Sequence, residues 1–394
     1  MHQPTHSHII TRIAGARLEG RRPRCAGCNA RLGEHGTQVA PPIARITTED
    51  EAAGFGWASV TAAEARRLLG LPLATVFGMT PERFSEALKT HGGLTGGVLP
   101  AFRSFEYPLL DLAAKLAGLP VYALVAADAP ADGLRVPCYD TSLYIDDLAQ
   151  IDEDAAVDLI AAEAAEGWAA GHRAFKVKVG RGARHMPLME GTRRDIAVLQ
   201  AVREAIGPNT RLMIDANNGY NLNLTKTVLR ETANLHIYWL EEPFHEDAEL
   251  YRALKQWMAE SSIETLIADG EGDASPRLLD WARDGWVDVL QYDVSRPGFS
   301  HWLELGPTLD SWGARSAPHS YGNPYGNYAA CHLAPAIEGF EMVEWDEAGV
   351  DGLDRSGYRI IDGHVHVPAT PGFGLDLDRV VYEGRAVEQG FVVM

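Results

Sequence analysis

Residues 171–179 read GHRAFKVKV, a short apolar segment that carries two lysines. Residues two apart on a strand point to the same side, so Lys176 and Lys178 share one face of a predicted strand at 174–179. Unpaired lysines rarely lie inside a protein, whereas lysines on an exposed strand simply face solvent. Because the segment has the apolar character of a buried parallel strand, we expect both lysines to serve a site.

Similar segments continue on the carboxyl side of this strand, and each is followed by a helical pattern. The predicted strands are Val136–Leu143, Ala174–Val179, Arg211–Asp215, Ile237–Glu241, Thr265–Asp269, Val287–Tyr292, Arg315–Pro318 and Phe340–Glu344. The predicted helices between them include Asp152–Glu166, Thr192–Ile206, Leu224–Leu235, Glu246–Glu260 and Pro276–Asp284. Eight strands with intervening helices favour an α/β fold, a (β/α)₈ barrel of the TIM type, over residues 133–350.

The chain before residue 133 has a different order of predicted elements, with strands first and helices after them. Strand patterns at Ile9–Leu18 and in a hairpin at Ile43–Ser59 precede helical patterns at Ala62–Leu69, Pro81–Thr90 and Phe102–Ala117. This order predicts an α+β domain over residues 1–132. Residues 21–36 are predicted to form a polar loop, and residues 351–394 an irregular tail that packs back on the first domain.

Ionisable residues stand at or just after the ends of the predicted strands. They are Lys176 and Lys178, Asp215, Glu241, Glu271, Asp293, His319 and Glu344. From Lys178 onward, successive members are 22 to 37 residues apart, which is the length of one strand–helix repeat. The carboxyl ends of all strands of a barrel meet at one mouth, where active sites lie, so we expect these residues to form one pocket.

The residue types predict the chemistry of that pocket. Carboxylates at three successive strand ends, Asp215, Glu241 and Glu271, are the hard oxygen ligands that Mg²⁺ prefers. His319 with Asp293 resembles a base and its orienting partner. A second lysine and a metal nearby should lower the pKa of Lys178 and let it act as a base. A metal and two bases suit removal of the weakly acidic proton next to a carboxylate.

Alternatives remain open for several of these residues. Glu242 competes with Glu241 as a metal ligand, and Asp269 shares a face with Glu271. Asp293 could be a strand-end cap and His319 a structural histidine. Glu344 could also be an ordinary carboxylate at a strand end.

Three further features have ordinary explanations. Cys25 and Cys28, with His35 nearby, could bind zinc, but further ligands are not evident, so two loop thiols are favoured. His364 and His366 form an H-x-H that follows the last strand and is interpreted as a surface strand. Tyr238 and Trp239 are expected to pack between barrel and helices.

The strand-end motifs together resemble the enolase superfamily, mandelate racemase subgroup. The motifs are GHRAFKVK at 171–178, DAN at 215–217, WLEEP at 239–243, ADGE at 268–271, QYD at 291–293, PHS at 318–320 and VEW at 343–345. The resemblance runs from about Ile9 to Asp378, and Tyr107–Val121 resembles the helix that ends the family's capping domain.

The resemblance implies roles for individual residues. Asp215, Glu241 and Glu271 would bind Mg²⁺. Lys178 would be one base, tuned by Lys176, which would also touch the substrate carboxylate, and His319 with Asp293 would be the opposite acid or base. Asn217 and Glu344 would hydrogen-bond the substrate carboxylate and enediolate, although Asn217 could be a turn residue. Loop 21–36 would cover the mouth, where Arg24 could contact an anionic sugar.

Composition narrows the functional class. The net charge of −19 disfavours nucleic acid and a polybasic membrane surface as partners. No signal peptide or apolar segment of membrane-spanning length is evident, which favours a cytoplasmic protein. The bases on both faces of the pocket, the polar loop and the family resemblance together imply a Mg²⁺-dependent acid-sugar dehydratase, a lyase acting on a uronate, aldonate or aldarate, and the resemblance implies a homo-oligomer. A racemase or epimerase with the same first step is the alternative, and a non-catalytic metal-binding barrel is a weaker one.

Overall fold

The computed structural model describes residues 7–130 and 132–394. Residues 1–6 and 131, which belong to the predicted first domain, lie outside the described residues. Strands in the first part are β1 (Ile10–Arg17), β2 (Gly20–Ala26), β3 (Gly36–Val39), β4 (Pro42–Thr48) and β5 (Ala53–Trp57). Its helices are α1 (Ala62–Arg66), α2 (Leu73–Val76), α3 (Pro81–Ala87), α4 (Glu106–Ala117) and α5 (Val121–Val125).

Strands β1, β4 and β5 form an antiparallel sheet on which α4 packs. Gly54 in β5 permits this packing, because a Cβ atom there would lie 2.3 Å from the backbone nitrogen of Leu112 in α4. The strand and hairpin that the sequence predicted for this region are thus present. The polar loop predicted at 21–36 is partly wrong, because β2 pairs with β3, and only residues 27–35 connect them as a loop.

The second part is a ring of parallel strands with helices between them. The strands are β6 (Leu134–Leu143), β7 (Ala174–Lys178), β8 (Arg211–Asp215), β9 (Ile237–Glu241), β10 (Leu266–Asp269), β11 (Val289–Leu290), β12 (Arg315–Ser316) and β13 (Val343–Trp345). The helices are α6 (Glu153–Ala169), α7 (Leu188–Ile206), α8 (Leu222–Glu231), α9 (Ala248–Glu260), α10 (Leu278–Arg283), α11 (Phe299–Trp312) and α12 (Pro324–Cys331). Neighbours from β6 to β12 pair in chain order, and β13 pairs with β6. Ser316 forms a parallel bridge with Phe340 shortly before β13, which closes the predicted barrel.

One apolar cluster fills the inside of this barrel below the mouth. Its buried members are Tyr139, Ala174, Met213, Trp239, Ala268, Val289, Ala317 and Met342, each from or beside a different barrel strand. The expectation that Trp239 packs between barrel and helices is therefore wrong. Trp239 lies two residues before Glu241 on β9, so it points inward with Glu241 and supports it from below.

The C-terminal segment is more regular than predicted. It contains β14 (Gly349–Val350), β15 (Leu353–Asp354), β16 (Arg359–Ile361), β17 (His364–Val367), β18 (Asp376–Leu377), α13 (Arg379–Gln389) and β19 (Phe391–Val393). The irregular tail expected at 351–394 is thus corrected. The strand predicted at His364 and His366 is present as β17. The other strands escaped prediction because each is only two or three residues long.

Strand pairing joins the C-terminal segment to the N-terminal part of the chain. Strand β19 pairs with β1, and β14 pairs with β2. Strand β17, which carries His364 and His366, pairs with the beginning of β6, opposite the mouth. The domain limits of 1–132, 133–350 and 351–394 stay predictions. Among the described residues, no helix has the length and apolarity needed to span a bilayer.

Candidate active site at the barrel mouth

Three carboxylates meet at the carboxyl ends of β8, β9 and β10. One oxygen from each of Asp215, Glu241 and Glu271 lies within 4.8 Å of the other two. Asp215 and Glu241 are fully buried, and the side chain of Glu271 is 18% exposed. Oxygen donors at this spacing, with neither thiolate nor imidazole among them, fit a hard divalent cation such as Mg²⁺.

Glu242 and Asp269, the alternative metal ligands, form hydrogen bonds to other side chains. Glu242 accepts hydrogen bonds from the side-chain amides of Asn217 at 3.0 Å and Asn218 at 2.9 Å. Asp269 accepts a hydrogen bond from the hydroxyl of Tyr251 on α9. The geometry therefore favours Glu241 over Glu242 and Glu271 over Asp269 as ligands.

The two lysines of β7 point into the mouth and contact carboxylates. Lys178 forms an ion pair with Asp215, and the Nζ atom of Lys176 lies 2.6 Å from Glu241 and 3.1 Å from Glu344. Burial lowers the pKa of Lys178, but neighbouring carboxylates, led by Asp215, outweigh burial and hold that pKa above its usual value. The lowering was expected from a second lysine together with a bound metal, and for the metal-bound site it stays a prediction.

His319, which follows β12, faces the lysines across the cluster. Its Nδ1 lies 2.6 Å from Oδ1 of Asp293, and its Nε2 lies 3.2 Å from Glu271 and 3.6 Å from Glu344. Burial lowers the pKa of His319, but Glu271, Glu344 and Asp293 together raise it to about 10. The imidazole is thus held in its protonated form by the protein's own charges.

Glu344 on β13 is held in place beside Lys176 and His319 by hydrogen bonds from the protein. It accepts hydrogen bonds from the Thr141 hydroxyl at 2.8 Å and from the backbone amides of Ser320 at 2.7 Å and Tyr321 at 2.9 Å. Burial raises the pKa of Glu344, but Lys176 and His319 outweigh it and hold that pKa well below its usual range. Here the ionised carboxylate positions Lys176, and its expected contact with a substrate carboxylate stays a prediction.

Asn217 contacts protein carboxylates in this structure. Its Nδ2 donates to Glu242 at 3.0 Å and lies 3.3 Å from Glu271. The backbone of Asn217 has a φ of +40°, a conformation that asparagine tolerates better than most residues. The side chain therefore orients Glu271, and its expected hydrogen bond to substrate stays a prediction.

Arg24 lies away from the carboxylate cluster. Its guanidinium is 3.3 Å from Glu163 and 3.2 Å from Glu166 on α6, and it donates to Ser142 at 2.9 Å. In this structure β2 directs the Arg24 side chain to helix α6 outside the barrel, and its expected contact with the sugar stays a prediction.

The loop at 27–35 crosses the mouth. Cys28 and Ile145 exchange two backbone hydrogen bonds of 3.2 and 2.9 Å, which fasten the loop to the segment after β6. Arg31 and Leu32 line a cavity with Asn217 and Glu271. The loop thus lies beside the carboxylate cluster, and its parts in covering the mouth and in choosing the substrate stay predictions.

The thiol of Cys25 and the nearby His35 contact other groups of the loop. Cys25 donates a hydrogen bond to Glu34, and Nδ1 of His35 lies 2.8 Å from the Gly27 carbonyl. Within the part of the chain that the structure describes, the cluster of Asp215, Glu241 and Glu271 is the one group of three potential metal ligands. The zinc alternative at Cys25 and Cys28 therefore has no support.

Three site residues were not assigned a role from the sequence. Gln291 donates to Glu241 at 2.8 Å, Trp239 donates through its indole nitrogen at 3.2 Å, and Thr141 binds Glu344. Alternation could have found the first two, since Gln291 precedes Asp293 by two residues and Trp239 precedes Glu241 by two. Thr141 gives no comparable signal, because β6 carries no ionisable catalytic candidate.

Comparison with known proteins places this site in a family. Residues 159–381, more than half of the chain, match the Enolase C-terminal domain-like family. A structure of galacturonate dehydratase from Geobacillus sp., described as complexed with D-galacturonate and 5-keto-4-deoxy-D-galacturonate, is 47% identical with a TM-score of 0.91. The match covers 99% of this chain and 100% of that chain. A mutant of that dehydratase complexed with Mg has the same identity and TM-score, covering 98% and 96%.

Two further relatives are more distant. D-xylonate dehydratase from Haloferax volcanii is 26% identical, covering 78% of this chain and 74% of that protein. D-galactarolactone cycloisomerase from Agrobacterium fabrum is 29% identical, covering 56% of this chain and 58% of that protein. This chain thus spans little more than half the length of the cycloisomerase. With the strand-end motifs and the barrel, these matches show that the chain belongs to the Enolase C-terminal domain-like family of the enolase superfamily.

Proposed function

We propose that the protein is a Mg²⁺-dependent acid-sugar dehydratase whose substrate is a uronate of the galacturonate class. The observation that carries the proposal is the placement of two proton-carrying groups at opposite ends of one carboxylate cluster. Lys178 contacts Asp215 at one end, and His319 lies beside Glu271 at the other. A dehydration that removes a proton and expels a hydroxyl needs two such groups.

The similarity to galacturonate dehydratase supports the substrate class. The two compounds named with that enzyme, D-galacturonate and 5-keto-4-deoxy-D-galacturonate, differ by one water. The ketone of the second stands next to the carboxylate, and the lost hydroxyl stood one carbon further. The change is the removal of an α-proton and a β-hydroxyl, as expected from the residues at this barrel mouth.

The proposed reaction assigns one step to each group. Lys178, whose pKa a bound Mg²⁺ would lower, takes the α-proton as the neutral amine while the C–H bond breaks, and Lys176 holds the substrate carboxylate by charge. His319, oriented by Asp293, gives its proton to the leaving β-hydroxyl, which departs as water, and the enol product then ketonises. Mg²⁺ held by Asp215, Glu241 and Glu271 would supply positive charge that stabilises the negative charge developing on the substrate carboxylate.

A panel of uronates, aldonates and aldarates incubated with the protein and Mg²⁺ tests this proposal. We expect a 2-keto-3-deoxy acid, counted from the carboxylate, from D-galacturonate or a close relative. An enzyme that exchanges the α-proton with deuterium and inverts that carbon, without forming a keto acid, would instead be the racemase or epimerase. A homo-oligomeric state and a cytoplasmic location stay predictions.

A further inference from the structure

His35 is brought over the barrel mouth by the loop at 27–35. Its ring lies edge-on to Tyr144 with ring centres 4.9 Å apart, and to Tyr321 at 6.0 Å. The Nζ atom of Lys178 lies 5.4 Å from the centre of the same Tyr144 ring. His35 and the proposed base therefore flank one aromatic wall.

The distance between them suits a six-carbon acid. Lys178 Nζ and the His35 ring centre are separated by at most the sum of those two distances, about 10 Å. An extended six-carbon acid reaches roughly 5 Å from its α-carbon to its far carbon, because it has four bonds of about 1.5 Å between them. A hydrogen bond at the far end adds about 3 Å, so a substrate whose α-carbon faces Lys178 can reach His35.

The orientation of the ring determines what it can bind. Nδ1 lies 2.8 Å from the Gly27 carbonyl oxygen, which only accepts, so Nδ1 carries the hydrogen. Burial, with smaller contributions from Lys178 and Arg22, lowers the pKa of His35 and keeps the ring neutral. Nε2 is then an acceptor, and within residues 7–130 and 132–394 it forms no hydrogen bond to protein.

Two arginines line the same cavity, and both donate to acceptors of the protein. Arg17 donates to the Ala40 carbonyl at 2.9 Å. Arg22, His35, Trp57 and Tyr321 line a cavity of about 480 Å³ beside the mouth. The Arg22 guanidinium donates three hydrogen bonds of 2.8 to 3.1 Å to Asp346, and both side chains are buried. This wall therefore offers a lone pair and aromatic rings more readily than a free positive charge.

We propose that His35 is a specificity residue whose Nε2 accepts a hydrogen bond from a hydroxyl of the hydrated aldehyde at the end of an open-chain uronate remote from the reacting carboxylate. This assignment rests on the proposed dehydratase function and refines it. An ionised second carboxylate at the remote end can only accept and would face the lone pair of Nε2, whereas a hydroxyl of the hydrated aldehyde donates to that lone pair. The site therefore selects sugar acids with one carboxylate, such as uronates, over aldarates.

Steady-state kinetics of wild type and His35→Phe with D-galacturonate and with galactarate test the assignment. His35→Phe removes the acceptor and keeps a flat ring against Tyr144. We expect KM for the monoacid to rise at least about 10-fold with kcat within about threefold, because a hydrogen bond outside the reacting atoms is lost. His364→Phe, at the opposite end of the barrel, is the matched control and should change neither constant.

A second variant separates recognition from folding. His35→Arg should narrow or invert the preference of wild type for galacturonate over galactarate, which mere damage to the loop cannot do. Unchanged KM in His35→Phe, or a wild type that prefers the diacid, would overturn the assignment and leave the dehydratase intact. A wild type that forms no keto acid from any acid sugar would overturn both.

Discussion

Replacing Asp293 with asparagine keeps the shape of the side chain and removes its charge. In the wild type, Asp293 accepts a 2.6 Å hydrogen bond from Nδ1 of His319. A hydrogen bond to a charged group contributes about 1.5–3 kcal/mol. The asparagine oxygen can still accept from Nδ1, and the Asp293 side chain is 25% exposed, so we expect a loss near the lower end. At 1.36 kcal/mol for each factor of ten, kcat should fall about 10- to 30-fold.

The assay follows two signals from the same substrate. Keto-acid formation reports the complete dehydration, and incorporation of deuterium at the α-carbon in deuterated buffer reports proton removal alone. Because Lys178 is untouched in Asp293→Asn, we expect exchange to stay within about threefold of wild type while dehydration falls. KM should change little, because Asp293 lies behind His319.

Two results would refute these separate roles of Lys178 and His319. If kcat stays within twofold of wild type, Asp293 does not orient His319 for catalysis. If exchange and dehydration fall by the same factor, His319 acts on the α-proton and Lys178 does not act alone. Asp284→Asn, on the exposed end of α10, provides the matched control and should leave both signals unchanged.

Three other predictions concern the base, the metal and stability. Lys178→Ala should lower α-proton exchange at least about 100-fold in deuterated buffer, and a wild-type rate would exclude this lysine as the base. Chelation of the metal should abolish turnover until Mg²⁺ is restored. Calorimetry should show that Glu271→Gln binds Mg²⁺ at least about 10-fold more weakly than wild type, whereas Asp269→Asn should change the affinity less than threefold. Burial lowers the pKa of His332 from 6.5 to about 3, so the stability that depends on its neutral form is present above pH 6.5 and is lost as the pH falls toward 3. Between pH 7 and 5 this amounts to about 2 kcal/mol, which denaturant unfolding should show in wild type and much less in His332→Gln.

The barrel could be predicted because its strands carry their own signal. Arg211–Asp215 and Ile237–Glu241 have the predicted bounds, and Ala174–Lys178 differs by one residue. Each is a short buried run that ends in a functional residue, so composition, length and position agree. Later strands are shorter than predicted, such as Val289–Leu290, because few residues there pair with both neighbours.

Features that depend on distant contacts could not be predicted in this way. The Arg-rich segment of β2 has the composition of a loop, yet Arg22 is buried against Asp346, 324 residues further along. Trp239 was wrongly predicted to pack between barrel and helices for a different reason. The alternation that placed Glu241 inward was not applied to Trp239, two residues before it. The close contact between the amine of Lys178 and Asp215 was not predicted, because strand order alone does not give the distance between two side chains.

The structure separates the groups of the proposed chemistry from the group proposed to recognise the sugar. Lys178 and Glu241 stand at the ends of rigid parallel strands, each supported from inside the barrel, so their spacing is fixed by the barrel itself. His35 stands on a loop held by two backbone bonds to Ile145 and by the ion pair of Arg22 with Asp346. Asp346 follows Glu344 by two residues, so the loop is fastened beside the strand that positions Lys176. Changes in this loop should therefore alter which acid sugar is bound without moving the groups that transfer protons.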